Sequence, residues 1–178
     1  IVWRGPMVQG AISKMLWDVD WGELDYLIID MPPGTGDIQL TLSQKVAVDG
    51  AVIVTTPQDI ALLDAQKGIE MFAKVNVPVL GIVENMAVHI CSECGHQEHL
   101  FGDGGGERIA SEYSVPLLGA LPLSLGIREN SDAGTPIVAV DPDGEVAAMY
   151  ATIARNVMTQ LPVDEAALPF PEIVINND

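Results

Sequence analysis

Basic residues are scarce: 8 lysines and arginines stand against 25 aspartates and glutamates in 178 residues, a formal charge of −17. A surface this acidic repels phosphate backbones and anionic headgroups, which excludes nucleic acid and argues against a membrane surface as partner. Cysteine is nearly absent, with Cys91 and Cys94 alone, so a disulfide-stapled secreted framework is excluded. No apolar run approaches the roughly 20 residues that cross a bilayer. No basic, apolar, small-residue signal opens the chain, and the expected location is cytoplasmic. An initiator methionine is also missing, for the chain begins Ile1-Val2-Trp3-Arg4. That start reads as a cut through a longer protein.

Hydrophobic residues make up 48% of the chain, enough for one sizeable core at this length. Four continuous apolar runs read as strands covered on both faces: Tyr26-Leu27-Ile28-Ile29, Ala51-Val52-Ile53-Val54, Val77 to Val83, and Pro116-Leu117-Leu118-Gly119. Between the second and third, Leu62, Ala65, Ile69 and Phe72 recur at helical spacing. There Thr56-Pro57 with Asp59 supplies a cap, a first-turn proline and a first-turn acid. The same logic predicts helices over roughly 6–19 and 105–113, and a last one opened by Asp141-Pro142 with Val146, Met149, Ile153 and Val157 as its stripe. This alternation predicts an α/β fold, an open and mostly parallel sheet with helices on both faces. Ligands of such sheets sit beyond the carboxyl ends of the strands. One domain is expected over 1–162, with an excursion at 86–106 that forms a small hairpin. The acidic, proline-rich stretch 163–178 reads as a loosely ordered tail.

Two constellations carry chemistry. In Leu27-Ile28-Ile29-Asp30-Met31-Pro32-Pro33-Gly34-Thr35-Gly36-Asp37, an apolar strand ending in Asp30 would place a carboxylate at the sheet rim, where it can hold magnesium through water. Glycines straight after it let backbone N–H groups approach a terminal phosphate. The plainer reading is a strand followed by an ordinary Pro-Gly turn. The second constellation, His89-Ile90-Cys91-Ser92-Glu93-Cys94-Gly95-His96-Gln97-Glu98-His99, sets two thiols in a turn where they can grip one soft metal centre. Zinc or an iron-sulfur cluster needs about four protein ligands. The other two come from His96 and His99, or from the same cysteines of a second copy. A redox dithiol and two idle thiols remain alternatives.

Asp30-Met31-Pro32-Pro33-Gly34-Thr35-Gly36-Asp37 resembles the switch II segment of the Mrp-type iron-sulfur cluster carriers, in the MinD and ParA branch of P-loop ATPases. Val2-Trp3-Arg4-Gly5-Pro6-Met7, Val54-Thr55-Thr56-Pro57-Gln58-Asp59, Gly81-Ile82-Val83-Glu84-Asn85-Met86 and Phe101-Gly102-Asp103-Gly104-Gly105-Gly106 look like that family in the same order. The resemblance implies a MinD-like P-loop fold, truncated at its N-terminus. It implies that Asp30 positions magnesium, that Gly34 senses the terminal phosphate of ATP, and that Asn85 and Pro122 border the adenine. It also implies a homodimer whose Cys91 and Cys94 pairs bridge a labile [4Fe-4S] cluster destined for apo-proteins.

The departure from the family lies at the phosphate cradle. No Gly-Lys-Ser/Thr string occurs anywhere in the chain, so these residues alone are expected neither to bind ATP tightly nor to hydrolyse it. Gly102-Asp103-Gly104-Gly105-Gly106, which has no lysine, reads as a flexible lead into a helix. A sheet without the family's first strand should show a gap or an exposed edge. Two rivals from other classes remain. A zinc-stabilised binding module would use His96 or His99. A MinD-like spatial regulator would need a basic amphipathic helix at its C-terminus, where 163–178 is acidic.

Overall fold

The computed structural model describes residues 5–31, 43, 46–91 and 93–162, and of residues 5–9 and 12 only the backbone. The stretch 163–178 and Gly34 therefore lie outside the described residues.

After helix α1 (Gly5–Trp17) the chain alternates: β1 (Ala51–Thr55), α2 (Asp59–Lys74), β2 (Val79–Glu84), the short β3 (His89–Ile90) and β4 (Gln97–Glu98), α3 (Gly105–Glu112), β5 (Leu117–Ala120), α4 (Leu125–Asp132), α5 (Ile137–Val140) and α6 (Glu145–Gln160). Strands β1, β2 and β5 form one sheet in that order. Both pairings are parallel, with Thr55 opposite Glu84 and Glu84 opposite Ala120. All three carboxyl ends thus meet on one rim. Parallel pairing needs crossovers of helical length, and α2 and α3 supply them.

Apolar spacing sets the layers. Leu62, Ala65 and Ile69 of α2 pack with Ile53, Ile82, Ile109 and Ala110 on one face of the sheet, joined by the partly buried Phe72. On the other face Met149, Tyr150, Ile153 and Val157 of α6 cover Val83, Leu118 and Leu121. Strand β2 is buried on both sides for this reason. Strand β1 is not: Ala51, Ile53 and Thr55 point into the core, while Val52 and Val54 stand exposed on the uncovered face. The expectation of a strand covered on both faces therefore fails at β1, where no described helix lies over that side.

The largest difference concerns Tyr26-Leu27-Ile28-Ile29. These residues form no strand, and Ile28 is 85% exposed. A strand exists only beside a hydrogen-bonding neighbour, and among the described residues this apolar run finds none. The expected open edge accompanies it, since β1 has a strand partner on one side only among the described strands. A smaller difference is the start of α2, whose N-cap is Gln58 and not Thr56. Pro57 is buried just outside the helix, because the backbone of Gly105 lies against it. Helices α4 and α5 lie outside the helices that the sequence pattern predicts. Among the described residues no helix is long and apolar enough to cross a membrane.

Candidate functional site

The excursion between β2 and α3 is built as a hairpin rooted in the sheet. Leaving β2, the Ala87 N–H donates to the Leu121 carbonyl at 2.9 Å, and the Leu123 N–H donates back to Val88 at 2.8 Å. The segment after β5 thereby splints the first strand of the hairpin, and a bridge between His89 and Leu123 extends it. Strands β3 and β4 then pair antiparallel, His89 with Glu98 and Ile90 with Gln97.

Cys91 and Cys94 occupy the turn that joins them. The Cys91 N–H donates to His96 O, and the Gly95 N–H donates to Cys91 O, both at 2.9 Å. Gly95 has φ of 70°, a left-handed conformation that glycine adopts without a Cβ clash. Both thiols are free, Cys91 half-buried and Cys94 exposed. The Cys94 backbone N–H is the first cause holding the Cys91 thiol below its ordinary pKa, followed by the Glu93 N–H and the Cys94 thiol. Donors aimed at a sulfur stabilise its thiolate, the form that binds metal.

The histidines do not complete a four-ligand set. The His99 Nδ1–H donates to the Ala87 carbonyl at 2.8 Å, with the Asp103 carboxylate 3.7 Å away, and the His89 Nδ1 faces the Leu123 carbonyl at 3.4 Å. Among the described residues no three or more His, Cys, Asp or Glu side chains gather in a way that could hold a metal ion. Among the described residues the turn offers its two sulfurs and no third ligand.

The glycine cluster that follows is a tight seat rather than a flexible lead. A Cβ on Gly105 would lie 2.9 Å from the Pro57 backbone, and one on Gly106 would lie 3.0 Å from the Glu84 Cβ. The Gly106 N–H donates to Oε2 of Glu84, a carboxylate only 6% exposed. Sequence reasoning passed over Glu84. Its signal was a charge ending an apolar strand, with a glycine-led helix start still to come in the chain.

The residues expected around a nucleotide divide into two groups. Asn85 and Pro122 follow the ends of neighbouring strands, held together where the Leu121 N–H donates to Glu84 O at 2.8 Å. Asn85 is half-buried and its Oδ1 accepts the Met86 N–H at 2.9 Å. Pro122 is buried. Asp30 is exposed at the end of an irregular segment, not at the end of a strand. Gly34 lies outside the described residues.

Known proteins align over most of the chain. The iron-sulfur cluster carrier protein of Pseudomonas fragi is 64% identical over 154 residues, 86% of this chain and 54% of the relative. That of Escherichia coli K12 is 60% identical over 161 residues, 90% of this chain and 44% of the relative. The mouse iron-sulfur cluster transfer protein NUBPL is 55% identical over 161 residues, 90% and 50% respectively. The chain spans about half the length of the curated relatives it matches. Among solved structures, a nucleotide-binding protein of Archaeoglobus fulgidus in complex with ADP superposes with a TM-score of 0.67 at 40% identity, covering 79% of this chain and 56% of that one. The cell division ATPase MinD of Pyrococcus furiosus gives 0.61 at 22% identity, covering 88% and 59%. The fold is that of the MinD-like P-loop NTPases. A family model described as ParA, NUBPL iron-transfer P-loop NTPase matches residues 1–158, and the chain belongs to that family.

Proposed function

We propose that this chain supplies the cargo site of a cytoplasmic iron-sulfur cluster carrier: Cys91 and Cys94 of two copies together hold a labile [4Fe-4S] cluster and pass it to apo-proteins. The observation that carries the reading is the thiol pair itself, with Cys91 biased toward thiolate by the Cys94 N–H and no further ligand gathered beside it among the described residues. A cluster needs about four protein ligands, and a twofold pair of such turns provides them. The names of the relatives, cluster carrier and cluster transfer proteins, support the same cargo.

Exposure suits release as well as binding. Transfer is ligand exchange: each iron-sulfur bond to Cys91 or Cys94 that breaks is replaced by one to a client thiolate, and the departing cysteine sulfur takes up a proton. No electron changes hands. Because Cys94 is exposed, a client thiolate reaches the iron held at that sulfur without unfolding the hairpin.

In a protein of the relatives' full length, ATP and magnesium belong beside this site. Asp30 positions the metal, Gly34 approaches the terminal phosphate, and Asn85 and Pro122 border the adenine. The ADP held by the Archaeoglobus relative supports nucleotide binding. Hydrolysis is assigned to the full-length protein and not to these 178 residues, which contain no Gly-Lys-Ser/Thr string and so lack the oriented donors that offset phosphate charge.

Anaerobic reconstitution with iron and sulfide tests the proposal. The expected result is about four irons per pair of chains, lost in Cys91→Ser and in Cys94→Ser. One zinc per chain, lost in the cysteine variants and equally in His96→Ala or His99→Ala, would overturn it.

A further inference from the structure

Glu84 is the last residue of β2, and Gly106 is the second residue of α3. Everything the excursion carries lies between them. At its amino end Glu84 is fixed in the middle strand of the sheet, opposite Thr55 on one side and Ala120 on the other, and its carbonyl accepts the Leu121 N–H at 2.8 Å. At the other end its Oε2 accepts the Gly106 N–H, one of the donors that a helix start leaves without an intrahelical partner. The helix dipole adds to the attraction for a negative charge there. A carboxylate 6% exposed is costly to bury unless a donor meets it, so the bond and the burial require each other.

The glycines make this contact possible. Gly105 and Gly106 bring the backbone of α3 directly against Pro57 and Glu84: a Cβ at 105 would clash with the Pro57 backbone, and one at 106 would crowd the Glu84 side chain at 3.0 Å. The spacing between the end of β2 and the start of α3 is therefore set by atomic contact rather than by the hairpin that spans it.

We propose that Glu84 is a positioning residue for the cysteine pair: by joining β2 to the N-terminus of α3 it clasps the root of the excursion and holds the Cys91–Cys94 turn in one geometry. The proposal rests on the reading of these thiols as metal ligands. Releasing it frees one end of residues 85–105 while leaving the hydrogen bonds of β1, β2 and β5 intact. The turn would then sample geometries in which its two sulfurs no longer converge.

The test compares the full 178-residue chain with Glu84→Ala, Glu84→Asp and Glu84→Gln. Glutamine keeps an oxygen at the same reach, whereas aspartate keeps the charge and loses the reach. Two readouts are taken: hydrogen exchange of the Cys91 and Gly95 amides without metal, and the affinity for cobalt(II), followed by its thiolate absorption. The expected result is about tenfold faster exchange in the hairpin and about tenfold weaker cobalt binding in Glu84→Ala and Glu84→Asp, with both restored by Glu84→Gln. The β2 amides at Ile82 and Val83 should be unchanged in folded variants. Wild-type hairpin exchange in Glu84→Asp would overturn the proposal, as would acceleration equal to that at Ile82 and Val83. If the unaltered chain takes up no cobalt, the metal reading of the thiols fails, and the exchange measurement still decides the role of Glu84.

Discussion

The imidazole of His99 reaches back across the hairpin to Ala87, its Nδ1–H donating to the Ala87 carbonyl at 2.8 Å. Ala87 in turn donates its N–H to Leu121 at 2.9 Å. One side chain thereby ties the outgoing limb of the excursion to the incoming limb, and through it to the segment after β5. A histidine engaged in this way through Nδ1 works as a strut; its Nε2 stays available, but among the described residues no third metal-binding side chain gathers with the two thiols.

Substitution separates the two roles. Asparagine can place an amide N–H near the position of Nδ1 but offers no ring nitrogen, so His99→Asn should keep the hairpin closed while His99→Ala opens it. The alanine change is expected to cost about 1 kcal/mol, the net worth of one partly exposed hydrogen bond, and to speed exchange at the β3 and β4 amides. Metal bound per chain, measured by elemental analysis, should be unchanged in His99→Asn, which keeps the hairpin closed. Loss of metal from His99→Asn would return His99 to the ligand set.

Cys91 should titrate first among ordinary thiols. Its pKa is lowered by the Cys94 N–H, the Glu93 N–H and the Cys94 thiol, in that order, so its thiolate persists to lower pH than that of an unperturbed cysteine. The sign for stability follows: a group whose pKa is depressed on folding contributes stability above its unfolded value, and loses it as pH falls through the folded one. Alkylation of the metal-free chain, followed by peptide mass spectrometry across a pH series, reads the effect directly. The Cys91 rate should rise at lower pH than that of a cysteine in an unstructured peptide. Cys94→Ala should move the rise upward, because it removes the thiol donor and leaves only the backbone donors. A Cys91 profile identical to the free peptide would contradict the turn geometry.

The core and the apolar segment before it should respond differently to truncation. Ile82 is fully buried between α2 and α3, and Ile82→Ala is expected to cost about 2–5 kcal/mol in urea unfolding. Ile28, 85% exposed, should change stability by no more than about 0.5 kcal/mol when cut to alanine. A large loss at Ile28 would mean that residues 26–29 pair as a strand after all.

That contrast shows where sequence reading succeeds and where it stops. The runs at Ala51, Val79 and Leu117 and the stripe of Val146, Met149, Ile153 and Val157 were legible because burial on a regular element leaves a periodic trace. The run at Tyr26 carries the same trace, yet a strand is a property of two neighbouring segments, and one sequence window holds only half of it. Helix α4 left little trace because none of its residues is buried. The cysteine turn was visible from its spacing and from Gly95. Its supports were not, since Glu84 with Gly106 and His99 with Ala87 are contacts between residues far apart in the chain, and no local pattern announces them.

The glycine cluster gives the most local test of how the site is seated. Gly104 caps α3 with φ of 63° and has open space where a Cβ would stand, whereas Gly105 has ordinary backbone angles but would drive a Cβ to 2.9 Å from the Pro57 backbone. Alanine at 104 therefore meets a conformational penalty alone, about 1 kcal/mol. Alanine at 105 meets backbone atoms that cannot swing aside, and overpacking of that kind costs about 1–3 kcal/mol. The two variants should also differ in kind. Gly104→Ala should lower the unfolding midpoint slightly and leave the hairpin amides as they were. Gly105→Ala must push α3 away from Pro57, and since α3 holds the Glu84 clasp, exchange at Cys91 and Gly95 should quicken as well. If the two substitutions proved equal in both measurements, the cluster would be acting as a flexible lead and not as a packed seat.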